Sequence, residues 1–304
     1  MSKIVSIHSF RSGVGKSHIT ANLAVTIARQ NQRVGIIDTD SQSFGLHRLF
    51  ELEEEQLNGT FNDYVDGHRT IEEIACDISS VLSQKRADST DESESSPSPQ
   101  QTLTQTPKKQ ELSLETPPSS SPTEGCIYII PSNFQMGKIA RWLQDGYDLN
   151  ALSEKFYELL DHLNLDYLLV DNHAGLTEET LFFISVCDVL VVILRPESQD
   201  FQGTAVTVDV GRQLGVSQIL PVINWLVPSM DLDALRQQVR TIYDLSAVGL
   251  LPLSERMAQL AGREILCVGY PNYPFCQEIE TIAQQITGLR SQGGQITQKL
   301  LEQL

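Results

Sequence analysis

The run HSFRSGVGKSHIT, residues 8–20, gathers the residue types that hold a polyphosphate. Gly13 and Gly15 can take the positive φ values that let backbone amides close around an anion. Lys16 can lie along β- and γ-phosphates, and the Ser17 hydroxyl can bind Mg²⁺. The common pattern G-x-x-x-x-G-K-[ST] wants a glycine five places before Gly15, and this chain has Phe10 there. The chemistry is that of a phosphate loop with an altered first half. Mg²⁺ and an attacking water need further oxygen ligands, which usually come from carboxylates at the carboxyl ends of strands. Two apolar runs end in that way. VGIIDTDSQSFG carries Asp38 and Asp40, and YLLVDNHAG carries Asp171 four residues before Gly175.

Regular elements must bring these residues together. KIVSIHS (3–9) precedes the loop and KSHITANLAVTIARQ (16–30) follows it, the strand and helix that the loop chemistry requires. Further apolar runs read as strands: 33–38, 126–132, 166–172, 188–195, 218–224 and 247–252. They are nearly continuous in Ile, Val and Leu, as in parallel strands covered on both faces. Amphipathic stretches at 149–163, 177–186, 198–214, 231–243 and 277–286 alternate with them and read as helices. This alternation predicts an α/β fold, a doubly wound, mainly parallel sheet with helices on both faces.

Residues 83–125 stand apart. They are rich in Ser, Thr, Pro and Gln, and Leu103, Leu112 and Leu114 are their only large apolar residues. Such a segment cannot bury enough surface to offset its ordering entropy, so it is expected to be a disordered insertion. One domain then spans 1–82 and 126–288, followed by a tail at 289–304. The net charge is −17, and the insertion, with four basic and seven acidic residues, carries little of it. That balance disfavours DNA and anionic lipid as partners, because both need basic surfaces. Arg236 and Arg240, near Asp231 and Asp233, read as a solvated helix face. No apolar run reaches the roughly 20 residues of a membrane-spanning helix. The five cysteines contain no C-x-x-C pair, and with the strand-like start of the chain reduced thiols and a cytoplasmic location are expected.

The loop resembles the deviant Walker A loop of the MinD/ParA group of P-loop ATPases, K-G-G-x-G-K-[ST]. Gly13, Gly15, Lys16 and Ser17 match it. Arg11 stands where the signature lysine belongs, and Ser12 replaces a glycine. The resemblance implies that Ser12, Gly13, Val14, Gly15, Lys16, Ser17 and His18 line ATP. In that family the signature lysine crosses an ATP-dependent homodimer to the partner's phosphates. Arg11 either does this as an arginine finger or has left the nucleotide for a surface salt bridge. A positive charge beside a triphosphate favours the first.

VGIIDTD resembles the family's D-x-D switch. YLLVDNHAG resembles its D-x-P-A-G run, with Asn172 and His173 replacing the middle pair. By this resemblance Asp40 orients the attacking water, and Ser17, Asp38 and Asp171 serve Mg²⁺. Gly175 offers its amide to the γ-phosphate, while His173 has a helix-start or packing role. Asn224, ending QILPVIN, is placed against adenine, and the loop around Pro252 closes that pocket. Pro196 and Glu197 match a T-N-P-E segment.

The catalytic set is then Lys16, Asp40 and Arg11. The function implied is an ATP hydrolase acting as a dimerising switch for spatial organisation or regulation, with an unidentified protein partner. The rivals are a non-hydrolysing nucleotide sensor and a DNA-associated cargo positioner. MinD tails form basic amphipathic membrane helices. Here the apolar face of Ile296, Leu300, Leu301 and Leu304 is short and Lys299 is offset by Glu302, so any peripheral membrane contact is weak.

Overall fold

The runs of Ile, Val and Leu become strands because helices cover both sheet faces, leaving no face that must be polar. The computed structural model of the chain describes residues 2–39, 45–83, 125–132, 149–246, 249–260, 262 and 264–288. Asp40, most of the 83–125 insertion and the 289–304 tail lie outside the described residues. Strand β1 (Lys3–His8) leads through the glycine loop into α1 (Lys16–Ala28), and then β2 (Arg33–Asp38) follows. Next come α2 (Leu46–Leu49), α3 (Phe61–Val65), α4 (Ile71–Ile74) and the two-residue β3 (Cys76–Asp77), with 3₁₀ turns at Glu54–Gln56 and Ser79–Ser83. The rest alternates: β4 (Cys126–Pro131), α5 (Leu149–His162), β5 (Tyr167–Asp171), α6 (Glu178–Ser185), β6 (Val189–Leu194) and α7 (Ser198–Gln213). Then come β7 (Gln218–Leu226), α8 (Leu232–Tyr243), β8 (Gly249–Pro252), α9 (Glu255–Leu260), α10 (Leu266–Gly269) and α11 (Pro274–Gly288).

Among the described residues the sheet has eight strands in the order β3-β4-β2-β5-β1-β6-β7-β8. Every pair is parallel except the β3–β4 edge. This is the doubly wound, mainly parallel architecture expected from the sequence. Alternate residues of one strand enter different cores. Ile4 joins a core with Phe156, Phe183, Val208 and Val239 from α5, α6, α7 and α8. Val5 and Ile7 join another with Leu23, Ile27, Ile279 and Ile282 from α1 and α11. The chain winds from β1 towards β2 and β4 on one side and towards β6, β7 and β8 on the other. β1 therefore marks the reversal, and a ligand crevice opens beyond the carboxyl ends of the strands at such a point. The glycine loop lies at that end of β1.

The insertion is anchored at both ends. Ser83 closes a 3₁₀ turn. An added Cβ at Gly125 would sit 1.9 Å from the Ala28 carbonyl oxygen, so β4 starts hard against the end of α1.

Candidate nucleotide site

Gly13 and Gly15 adopt φ of 74° and 94°. Both lie in the left-handed region that glycine enters without penalty. Gly15 is also the residue on which α1 begins, and no side chain caps that helix start. Its first-turn amides are thus left for an anion, as at other phosphate-binding helix starts. Val14 and Lys16 are buried, Ser12 is exposed, and Ser17 and His18 are half-buried. Burial lowers the pKa of His18, favouring its neutral form. The Asn224 side-chain amide donates to the Val14 carbonyl at 2.8 Å. A Cβ at Gly15 would lie 2.8 Å from that same Asn224 nitrogen, so only glycine lets β7 and the loop meet this closely.

The two strand-end carboxylates are neighbours. Asp38 and Asp171 are direct partners in the parallel β2–β5 register, and both are buried. The Leu46 amide donates to Asp38 Oδ2 at 3.3 Å. Thr20 Oγ1, one helical turn after Lys16, donates to Asp171 Oδ1 at 3.2 Å. Thr39 ties the strands together by donating its amide, at 3.0 Å, and its hydroxyl, at 2.9 Å, to the Asp171 carbonyl. Ser17, Asp38 and Asp171 offer hard oxygen donors, which fit Mg²⁺ held partly by phosphates.

After β5 the chain folds back on the loop. The Gly175 amide donates to the Ser9 carbonyl at 3.0 Å. That donor is therefore engaged, and presenting it to a phosphate requires the 172–176 turn to move. His173 Nε2 lies 2.9 Å from Thr177 Oγ1, and Thr177 caps α6. His173 thus stands at a helix start, the role its context suggested. Asn172 donates its side-chain amide to Ser6 Oγ at 2.7 Å. At the far end Pro252 pairs with Leu226 across the β7–β8 ladder, beside Asn224.

Arg11 points to neither Asp38 nor Asp171. Its guanidinium pairs with Glu197 at 3.2 Å and with Asp200 at 3.0 Å. Within one chain, the residue in the signature position is held by the segment that follows β6. Asp40 lies outside the described residues.

Several residues of the site were not singled out in the sequence. Thr20 could have been found, because it falls four residues after Lys16 and shares its helix face. His8 gave no signal. It is fully buried, and neither ring nitrogen has a hydrogen-bond partner among the described residues. Burial first, then the Lys16 and His173 charges, push its pKa down to about 3. Trp225 is 43% exposed and has φ of 68° at the bulge that extends β7 past Asn224. The Arg195 guanidinium sits 5.2 Å from its ring centre. A bulky residue in that backbone region is strained, and nothing in the local sequence announces it.

Comparison with known proteins agrees with this geometry. Residues 1–85 match the ParA family model described as a NUBPL iron-transfer P-loop NTPase. The chain is 24% identical over 293 residues to an uncharacterized ATP-binding protein of Methanocaldococcus jannaschii, covering 95% of this chain and 89% of the relative. The MinD cell division protein of Aquifex aeolicus has a similar fold, with a TM-score of 0.68 at 16% identity over 97% of this chain and 100% of that one. The septum site-determining protein MinD of Pyrococcus horikoshii, solved with Mg-ADP, gives 0.64 at 18% identity over 94% and 96% of the two chains. The chain is thus similar in sequence over residues 1–85 to the ParA family model, and in its overall fold to MinD proteins.

Proposed function

We propose that the chain is an ATP-dependent dimerising switch of the deviant Walker A type, reset by slow hydrolysis and read out by a protein partner. The observation that carries this reading is the pairing of Asp38 with Asp171 in one strand register beside an uncapped helix start and a buried Lys16. Two carboxylates at neighbouring strand ends, within reach of one phosphate loop, suit a nucleotide held through Mg²⁺. Mg²⁺, when bound, would neutralise phosphate charge, with Ser17, Asp38 and Asp171 holding it or its water shell. Lys16 would lie along the β- and γ-phosphates. Asn224 and Pro252 would border the base, Asp40 would orient the attacking water, and the Gly175 amide would meet the γ-phosphate after leaving Ser9. The catalytic unit would comprise residues 1–82 and 126–288, with 83–125 as an insertion. A role in spatial organisation, of the cell-division or partition kind, follows from the likeness to MinD proteins. Such a role places the chain in the cytoplasm, with any membrane contact peripheral.

One observation favours a second reading. Arg11 is paired with Glu197 and Asp200 in its own chain, which is where a residue withdrawn from the nucleotide would sit. If it stays there, the protein is a nucleotide sensor with little turnover. Titration calorimetry with ATP–Mg²⁺ followed by a phosphate-release assay separates the readings. The switch binds ATP and releases phosphate slowly, whereas the sensor binds and releases none. Lys16→Ala is expected to abolish the binding heat, and unchanged affinity in that variant would overturn the site.

A further inference from the structure

The first half of the phosphate loop is gripped by one helix. Phe10, where the common loop has glycine, lays its ring on Gly203 of α7. An added Cβ at Gly203 would lie 2.0 Å from Phe10 Cδ1 and 2.2 Å from its Cγ. Because Cγ is the root of the ring, spinning the ring cannot relieve that contact. The next residue, Arg11, donates to Asp200 Oδ1 at 3.0 Å and to Glu197 Oε2 at 3.2 Å. Asp200 is 2% exposed and is fixed from its other oxygen, which accepts the Arg195 amide at 3.0 Å. Glu197 is the residue on which α7 begins, so the grip comes from the first two turns of α7. Ser9 Oγ, just before the pair, donates to the Arg11 carbonyl at 2.7 Å, which stiffens the gripped segment.

We propose that Gly203 and Asp200 are positioning residues for the phosphate loop. They act through Phe10, which stands where the common pattern has glycine, and Arg11, which stands where the deviant pattern has lysine. α7 holds Phe10 by surface contact and Arg11 by charge, and so sets the arm from which Gly13, Gly15 and Lys16 reach the phosphates. Nucleotide affinity is thereby coupled to α7. Gly203 serves this role because any side chain there occupies the space of the Phe10 ring.

The proposal rests on the nucleotide reading of the loop, and the test keeps the two apart. ATP–Mg²⁺ affinity is measured by calorimetry for the wild type, Gly203→Ala, Phe10→Ala and the double variant. Gly203→Ala is expected to bind about tenfold or more weakly, although alanine is the better helix former and the melting temperature should not fall for want of helix propensity. Removing the ring that clashes should restore the double variant to the affinity of Phe10→Ala alone. A merely structural glycine predicts no such rescue. If Gly203→Ala fails to fold, Asp200→Asn, which keeps the shape and drops the charge, must weaken ATP by itself. Wild-type affinity in Gly203→Ala, or a double variant weaker than Phe10→Ala alone, or unchanged binding in Asp200→Asn, overturns the clamp while wild-type binding stands. No ATP heat from the wild type overturns the nucleotide reading and the clamp with it.

Discussion

At the residue scale, His8 is a buried base without a hydrogen-bond partner among the described residues, one strand end away from Lys16. Its folded pKa of about 3 lies below the ordinary value of about 6.5 that the unfolded chain should show. Above that ordinary value both states leave His8 neutral and it adds no pH dependence. As pH falls towards 3 the unfolded state binds a proton that the folded state refuses, so stability falls with it. Between about pH 7 and about pH 5 this should amount to roughly 2 kcal/mol. His8→Leu should remove that component, which urea unfolding at the two pH values can measure. Parallel stability profiles for the two proteins would contradict it. The residues that speak through spacing were legible in the sequence: Gly13, Gly15, Lys16, Asp38 and Asp171. His8, Asp200 and Trp225 were not, because their importance lies in neighbours from distant strands and in a backbone angle, neither of which leaves a local pattern.

At the scale of elements, long periodic runs became the helices and strands expected of them to within a few residues. β7 runs two residues past Asn224 because a bulge at Trp225 lets it pair on with β8. The segment 46–83 was read as no element, yet it holds helices of four or five residues and an antiparallel strand of two. One turn of helix is too short for periodicity to register, and tertiary burial of Phe61, Ile71 and Ile74 decides it instead. The insertion offers a test at this scale. Replacing residues 84–124 with a short Gly/Ser loop should leave nucleotide binding intact and move the melting temperature by only a few degrees, since closure entropy changes slowly with loop length. A large drop measured by calorimetry would mean that the segment packs on the sheet. The cut must spare Gly125. The Cβ of Gly125→Ala meets the Ala28 carbonyl oxygen at 1.9 Å, a backbone atom that cannot swing aside, and should cost about 1–3 kcal/mol as an overpacked contact. An unchanged urea midpoint would contradict that contact.

For the whole molecule, the sheet order places the described candidate residues that follow β1, β2 and β5 at one end of the strands, beside β1 where the winding reverses. The alternating apolar runs pointed to a doubly wound sheet with carboxylates at strand ends, but not to the strand order, because periodicity within a run does not say which run lies beside it. Whether two such ends meet face to face does not follow from the fold of one chain. The proposed switch requires Arg11 to leave Glu197 and Asp200, one exposed and one buried partner. Exposed ion pairs are weak, but Asp200 is itself buried and would be left without its cation, so release needs a competitor for Arg11. A partner's triphosphate is such a competitor. At saturating ATP, Arg11→Ala should therefore remain monomeric, its affinity weakened about as much as that of Asp200→Asn, whereas Arg11→Lys should keep dimerising.

The measurement that bears most directly on the switch is light scattering of the full chain, carrying Asp40→Ala to stop turnover, with ATP–Mg²⁺ and then with ADP–Mg²⁺. A dimerising switch gives twice the monomer mass with ATP and the monomer mass with ADP, and Arg11→Ala in the same background abolishes the doubling. A monomer in both nucleotides, with ATP binding confirmed, would contradict the switch and leave the sensor.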